Sequence, residues 1–338
     1  MTDPAPQHGP DSPDTSAASA TTESSSLRSH LTRESTTSRR ELAPVPGVTR
    51  SDYQQLLAMV RDAERRVSRA GIEIPPDRGR LVRHRRLLED VVRSIEDPDA
   101  ESLAMSESDV YLAALEVGQL AQIVSTLTHP GSRWTERIRA VLHPEHAASG
   151  SVETEDQRFR LHFMAICRQA GFSPRPIDSR ETRAEPSMGP DALFELSRWR
   201  LGLACQLVGD DRSLESAIGA SSARLRSARV PGLIALEVTR LIWPERRVLR
   251  VDSDTTASHE LQRRTDHFLT EQSKRIGANA DAGHAFGVLA VATLPTFNVS
   301  TRHISFGTTF RIASLVDAHD PRYAKLAEFA RRFQRAGT

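Results

Sequence analysis

Two apolar runs, "GLIALEVTRLI" from Gly232 and "AFGVLAVATL" from Ala285, are separated by a polar stretch with helical spacing at about 258–276. Runs of this length, rich in branched residues and bounded by turn signals, predict strands, and the stretch between them predicts a helix. A helix from Arg158 to Ala170 precedes them, stopped by Gly171 in "AGF". A hairpin in "PDALFELSRWRLGLACQL", Pro190 to Leu207, and a helix from about Ser213 to Arg226 follow that first helix. Beyond the second apolar run come a polar-alternating stretch, "NVSTRHISFGTTFRIASLV", and a last helix opened by Asp320 and Pro321 and running to about Phe333. A helix, a hairpin, then alternating helices and apolar strands predict an α/β layer with a mixed sheet over residues 153–338.

The N-terminal half follows different rules. Residues 1–48 are dominated by Ser, Thr, Pro and Ala, too poor in large apolar side chains to offset the entropy of ordering, and predict a disordered tail. From Asp52 the pattern is helical, with Leu56, Met59, Val60, Ala63 and Val67 on one face until "IPPDRG" breaks it. A second helix, about Arg80 to Glu96, gathers Leu81, Leu88, Val91, Val92 and Ile95 on one side, and Asp97-Pro98 stops it. A third opens at "SESD", where Ser106 and Asp109 resemble a capping box, and a short fourth spans Trp134 to Leu142. Four amphipathic helices predict a small all-α domain at residues 50–147.

Composition excludes several classes. The net charge of +1 gives no global field toward nucleic acid or membrane, so any such affinity must be local. Cys167 and Cys205 sit in apolar runs with no CxxC, which argues against a disulfide scaffold or zinc ribbon and fits a reducing, cytoplasmic compartment. No apolar segment is read as approaching the roughly 18 residues of a membrane span, and the N-terminus lacks an apolar leader core, so no membrane association is expected. His143 and His146 have ligand-like spacing but no companion ligand and read as surface residues. "ASGS" at 148 and "GANADAG" at 277 lack the strand, helix and Gly-Lys-Ser/Thr of a phosphate loop, and no serine sits in a G-x-S-x-G elbow.

The hairpin carries the one motif with chemistry. Asp191 follows Pro190 at the start of the first strand, and the second strand ends in Ala204, Cys205 and Gln206. With "FRLHFMAICRQAGF" before it and "LACQLVGDDRSLESAIGASSARLRSARVPGLIALEVTRLI" after it, the segment from about Glu155 to Leu294 resembles the PD-(D/E)XK nuclease superfamily, the restriction-endonuclease-like fold. The resemblance implies a sheet core flanked by helices and a divalent metal, Mg²⁺, held between the first-strand aspartate and a second-strand acid, with a neighbouring lysine steering water. In such a strand the acid and lysine, two residues apart, share a face. The matching positions here are Ala204 and Gln206, which can neither ligate Mg²⁺ nor supply positive charge. The family's first-helix glutamate is matched by Arg160. Lysine occurs only at 274 and 325, far downstream, and arginine is too basic to accept a proton.

Three readings of function remain open. In the first, the chain is a catalytically eroded nuclease fold that binds DNA or RNA, or assembles with partners, without hydrolysis and with no cofactor, in a setting such as bacterial defence. Its nucleic-acid contacts would be Arg198, Trp199 and Arg200 at the hairpin tip, where arginine beside tryptophan can hold phosphate and stack a base, with Arg224 and Arg226 on the following helix. In the second, Asp191 works with a migrated acid in a Mg²⁺-dependent endonuclease. The candidates are Glu195, on the same strand face but about 13 Å away, and Glu237, costly in an apolar strand unless paired. In the third, the helical domain recruits a protein partner and no nucleic acid binds. The arginines of the helix 80–96 could follow a DNA backbone, but Glu89, Asp90, Glu96 and Asp97 dilute them, and they read as a solvated face.

Overall fold

The expected helical spacing produces four helices in the N-terminal half: α1 (Arg50–Arg69), α2 (Arg80–Glu96), α3 (Glu107–Leu127) and α4 (Thr135–Leu142). The structure is a computed structural model that describes residues 50–75, 79–96, 107–129, 132–143, 152–177 and 189–336. The predicted disordered tail at 1–48, the cap at Ser106, His146 and the "ASGS" turn lie outside the described residues.

Helix α1 buries Leu56, Leu57, Val60, Ala63 and Val67, the face its spacing predicts. It ends where Gly71 adopts φ +72° and the Ile72 N–H bonds the Val67 carbonyl five residues back. α5 (Val152–Gln169) closes the same way, with Gly171 at φ +81° and Phe172 N–H on the Cys167 carbonyl. Helix α3 corrects one expectation. Its stretch Ser108–Leu127 is long and apolar enough to cross a membrane, the single such helix among the described residues. More than half of that stretch is buried against the rest of the chain: α3 packs on α1, α5 and the sheet. Gly118 permits this approach, since a Cβ there would collide with the ring of Phe306.

The C-terminal half is α/β, with a seven-stranded mixed sheet flanked by helices. Its strands are β1 (Arg175–Pro176), β2 (Ala192–Leu196), β3 (Trp199–Leu207), β4 (Gly232–Glu237), β5 (Leu249–Val251), β6 (Ala285–Asn298) and β7 (His303–Ser314). Its helices are α6 (Ser213–Ser227), the single turn α7 (Thr239–Ile242), α8 (Asp254–Asn279) and α9 (Pro321–Ala336). The path is β1-β2-β3-β4-β6-β5, with β7 on the other edge of β6. β1, β2 and β3 run antiparallel in turn, while β3, β4 and β6 run parallel, joined by crossovers through α6 and α8.

β6 is buried at every position, as expected of a strand covered on both faces. It runs four residues past the predicted end at Leu294, pairing β4 from Ala285 to Val291 and β5 from Thr296 to Asn298. The strand predicted at 232–242 stops instead at Glu237, because the Thr239 N–H and hydroxyl turn back onto the Glu237 carboxylate. The predicted helix at 258–276 starts earlier, at Asp254, capped by the Ser253 hydroxyl on the Thr256 N–H at 3.2 Å. Phe172, Phe194, Phe329 and Phe333 pack ring on ring where α5, β2 and α9 meet. The buried apolar residues of the helical segment and of the sheet form one continuous cluster.

Candidate functional site

Asp191 stands where β2 begins, and β3 holds it in place. Its backbone N–H donates to the Leu203 carbonyl at 2.7 Å, and its Oδ2 accepts the Cys205 N–H at 2.6 Å. Arg224 of α6 approaches the same carboxylate at 3.0 Å, and its other terminal nitrogen donates to the Cys205 carbonyl at 2.7 Å. Arg160 of α5 reaches Asp191 at 3.2 Å and also pairs with Asp156, one turn earlier on its own helix. Asp156 in turn accepts the Leu207 N–H at 2.7 Å. Arg137 of α4 completes the cluster by donating to the Asp191 carbonyl at 3.0 Å.

The electrostatics follow from burial and charge together. Burial pushes the Asp156 carboxyl above its ordinary range, against the pull of Arg160 and the Leu207 N–H. Burial works against the Arg160 cation, but Asp191 and Asp156 outweigh it and hold the guanidinium more firmly charged. Burial, followed by the neighbouring Asp191 charge, pushes the Cys205 thiol well above its usual value.

These donors do not fit Mg²⁺. The ion requires several hard oxygens around one point, and here guanidinium and amide N–H groups occupy the Asp191 carboxylate. Among the described residues no three His, Cys, Asp or Glu side chains converge as a metal site. Ala204 lies next to the Asp191 anchor, and Gln206 is partly buried beyond it. Glu195, the first migrated acid considered, is 71% exposed and faces Arg175 at 3.6 Å. Glu237, the second, pairs in register with Leu207, three residues or roughly 10 Å along the sheet from Ala204, and is engaged by Thr239. Burial raises its carboxyl above the ordinary range.

The expected nucleic-acid residues divide. Arg198 is exposed at the hairpin tip with φ +69°, and Arg200 is exposed beside it. Trp199 is partly buried, with the Lys325 ammonium 5.9 Å from its ring centroid. Arg226 is exposed, 3.6 Å from Asp281. Arg224 is not on that surface, since its side chain is 13% exposed and committed to Asp191.

A second feature lies at the opposite end of β3 from that tip. A cleft of about 770 Å³ opens at the C-terminal ends of β3 and β4, walled by α2, α3, α5 and the turn after α7. Its arginines are Arg80, Arg83, Arg86, Arg158, Arg240 and Arg246, with Tyr111, Phe159 and Trp243 among its apolar lining. At its base Glu116 of α3 accepts from His84 at 2.6 Å, pairs with Arg158, and lies 3.7 Å from Arg80. Burial opposes ionisation of Glu116, yet Arg158, His84 and Arg80 outweigh it and hold its carboxyl far below the usual range. Arg240 pairs with Glu155.

Arg80, grouped by sequence with a solvated face, is in fact 5% exposed, and its Nη1 has no hydrogen-bond partner. His84 Nδ1 also has none. The i, i+4 spacing of Arg80 and His84 on α2 was the signal available in the sequence. What it lacked was the identity of Glu116 as their shared partner. Comparison with protein-family models, curated proteins and solved structures finds no match to the chain.

Proposed function

We propose that the chain is a nuclease-like scaffold that binds nucleic acid without hydrolysing it. One observation carries the reading: two guanidinium groups, from Arg160 and Arg224, sit on the Asp191 carboxylate that such a scaffold would offer to a cation. The order α5, β1, β2, β3, α6, β4, with an antiparallel hairpin followed by a parallel strand, supports the likeness to the PD-(D/E)XK arrangement. The swap keeps local charge balanced while removing the Lewis acid and the water it would activate. Exposed Arg198, Arg200 and Arg226 support a sequence-independent grip on phosphates.

The test uses the full chain with single- and double-stranded DNA and RNA, in Mg²⁺ and in Mn²⁺. The expected result is no cleavage, with binding that weakens as salt rises from 50 to 200 mM, read by fluorescence anisotropy. Asp191→Ala, which takes the shared carboxylate from the partly buried Arg160 and Arg224, is expected to lower stability by about 3 kcal/mol in urea denaturation. Metal-dependent cleavage that disappears in Asp191→Ala would overturn the reading. Absence of any salt-dependent binding at low ionic strength would favour a protein-binding scaffold instead.

A further inference from the structure

We infer that the cleft at the ends of β3 and β4 is a binding site for a small phosphate-bearing ligand, recognised through Arg80, Arg83 and Arg246. The inference goes beyond the nuclease-like reading and stands independently of it, because it rests on different residues at a different place in the fold.

The charged groups of the cleft are unequally committed. Arg158 is committed to Glu116 and Gln119, and Arg240 to Glu155. Asp90 pairs with Arg93, and of the other two lining carboxylates, Asp109 and Glu237, the latter is engaged by Thr239. Arg80 is left with a single carboxylate 3.7 Å away that two other cationic or donor groups already share. Arg83 and Arg246 line the cleft and make no ion pair among the described residues. Three guanidinium groups with spare donors therefore surround one opening.

A buried guanidinium with an unused N–H is a costly arrangement for a cavity that no anion ever enters. Arg80 is nineteen-twentieths buried at the cleft wall, its Nη1 3.7 Å from the Glu116 carboxylate but without a hydrogen bond, and His84 Nδ1 is a second nitrogen there with no hydrogen-bond partner. A dianionic phosphate supplies what is missing. It offers several acceptor oxygens with two charges, matched to planar guanidinium forks, whereas a lone carboxylate could satisfy only one fork. The volume of about 770 Å³ exceeds what inorganic phosphate needs and falls within the range of sites for nucleotide-sized molecules. Tyr111, Phe159 and Trp243 provide apolar wall for the remainder of such a ligand.

Calorimetric titration of the full chain with inorganic phosphate and with adenosine 5′-monophosphate tests the site. Saturable one-to-one binding is expected, weakened about tenfold by Arg83→Gln and by Arg246→Gly. Arg246 holds φ +48°, so glycine removes the guanidinium while relieving the backbone, and a lost affinity there cannot be blamed on unfolding. Arg212→Gln, an exposed change away from the cleft, is expected to bind as the parent does. Tighter binding of the mononucleotide assigns a nucleotide to the site, and equal binding assigns phosphate alone; either supports the inference. No binding of either probe at millimolar concentration, or full affinity in both cleft variants, would overturn it. Cleavage of nucleic acid by the chain would sink the earlier proposal and leave this result standing.

Discussion

His162 sits on α5 with its ring fully buried, its Nε2 2.7 Å from the Gln122 side-chain oxygen and its Nδ1 unmatched. Burial, aided by the nearby Arg158 charge, pushes its pKa down to about 3. The folded chain thus refuses a proton that the unfolded chain accepts near the ordinary histidine value. Stability from this residue is complete above that unfolded value and is lost as pH falls toward 3. Between pH 7 and pH 4.5 the loss is about 2–3 kcal/mol. Urea denaturation at the two pH values should show a smaller drop for His162→Gln than for the parent; equal drops would refute the assignment. At this scale the sequence revealed Asp191, through the preceding proline and the strand that follows. It did not reveal the neutralising partners. Arg224 lies 33 residues away and Arg160 is on an earlier helix, and no local period links such residues. Asp156, four residues before Arg160, falls ahead of the helix start expected at Arg158, so its helical pairing with Arg160 was not read.

Elements were more legible, because apolar spacing reports directly on which face is buried. α2 emerges with the predicted bounds, while β5, three residues long, is too short to leave any pattern. β4 was overread because Val238 and Leu241 continue its apolar run, and only the Thr239 bond to Glu237 ends it. The β3–β4 ladder depends on a pair that the sequence shows only as two unremarked glycines. Gly202 and Gly232 face each other in register, and a Cβ on Gly232 would strike the Gly202 carbonyl. Gly232→Ala is expected to destabilise the chain by about 3 kcal/mol, because the obstruction is backbone and cannot rotate aside. Thermal melting checks this, and an unchanged midpoint would mean that the ladder shifts at little cost.

Across the whole described body, α3 joins the helical segment to the sheet, since it packs on α1, α5 and β6 alike. The sequence predicted two domains from a change in pattern, but a change in pattern carries no information about whether two apolar surfaces meet. The single cluster implies cooperative unfolding of the described body. Variants retaining only Trp134, in the helical segment, or only Trp243, beyond β4, offer local probes. In each, tryptophan fluorescence and far-ultraviolet dichroism are expected to give one urea midpoint. An earlier transition at Trp134 would show that the helices melt first. The core also encloses the chain's only two sulfhydryls, Cys167 on α5 and Cys205 on β3, neither of which touches solvent. The native molecule therefore presents no reactive sulfur of its own, so one cysteine introduced at Arg198 could carry a maleimide dye at a single known position.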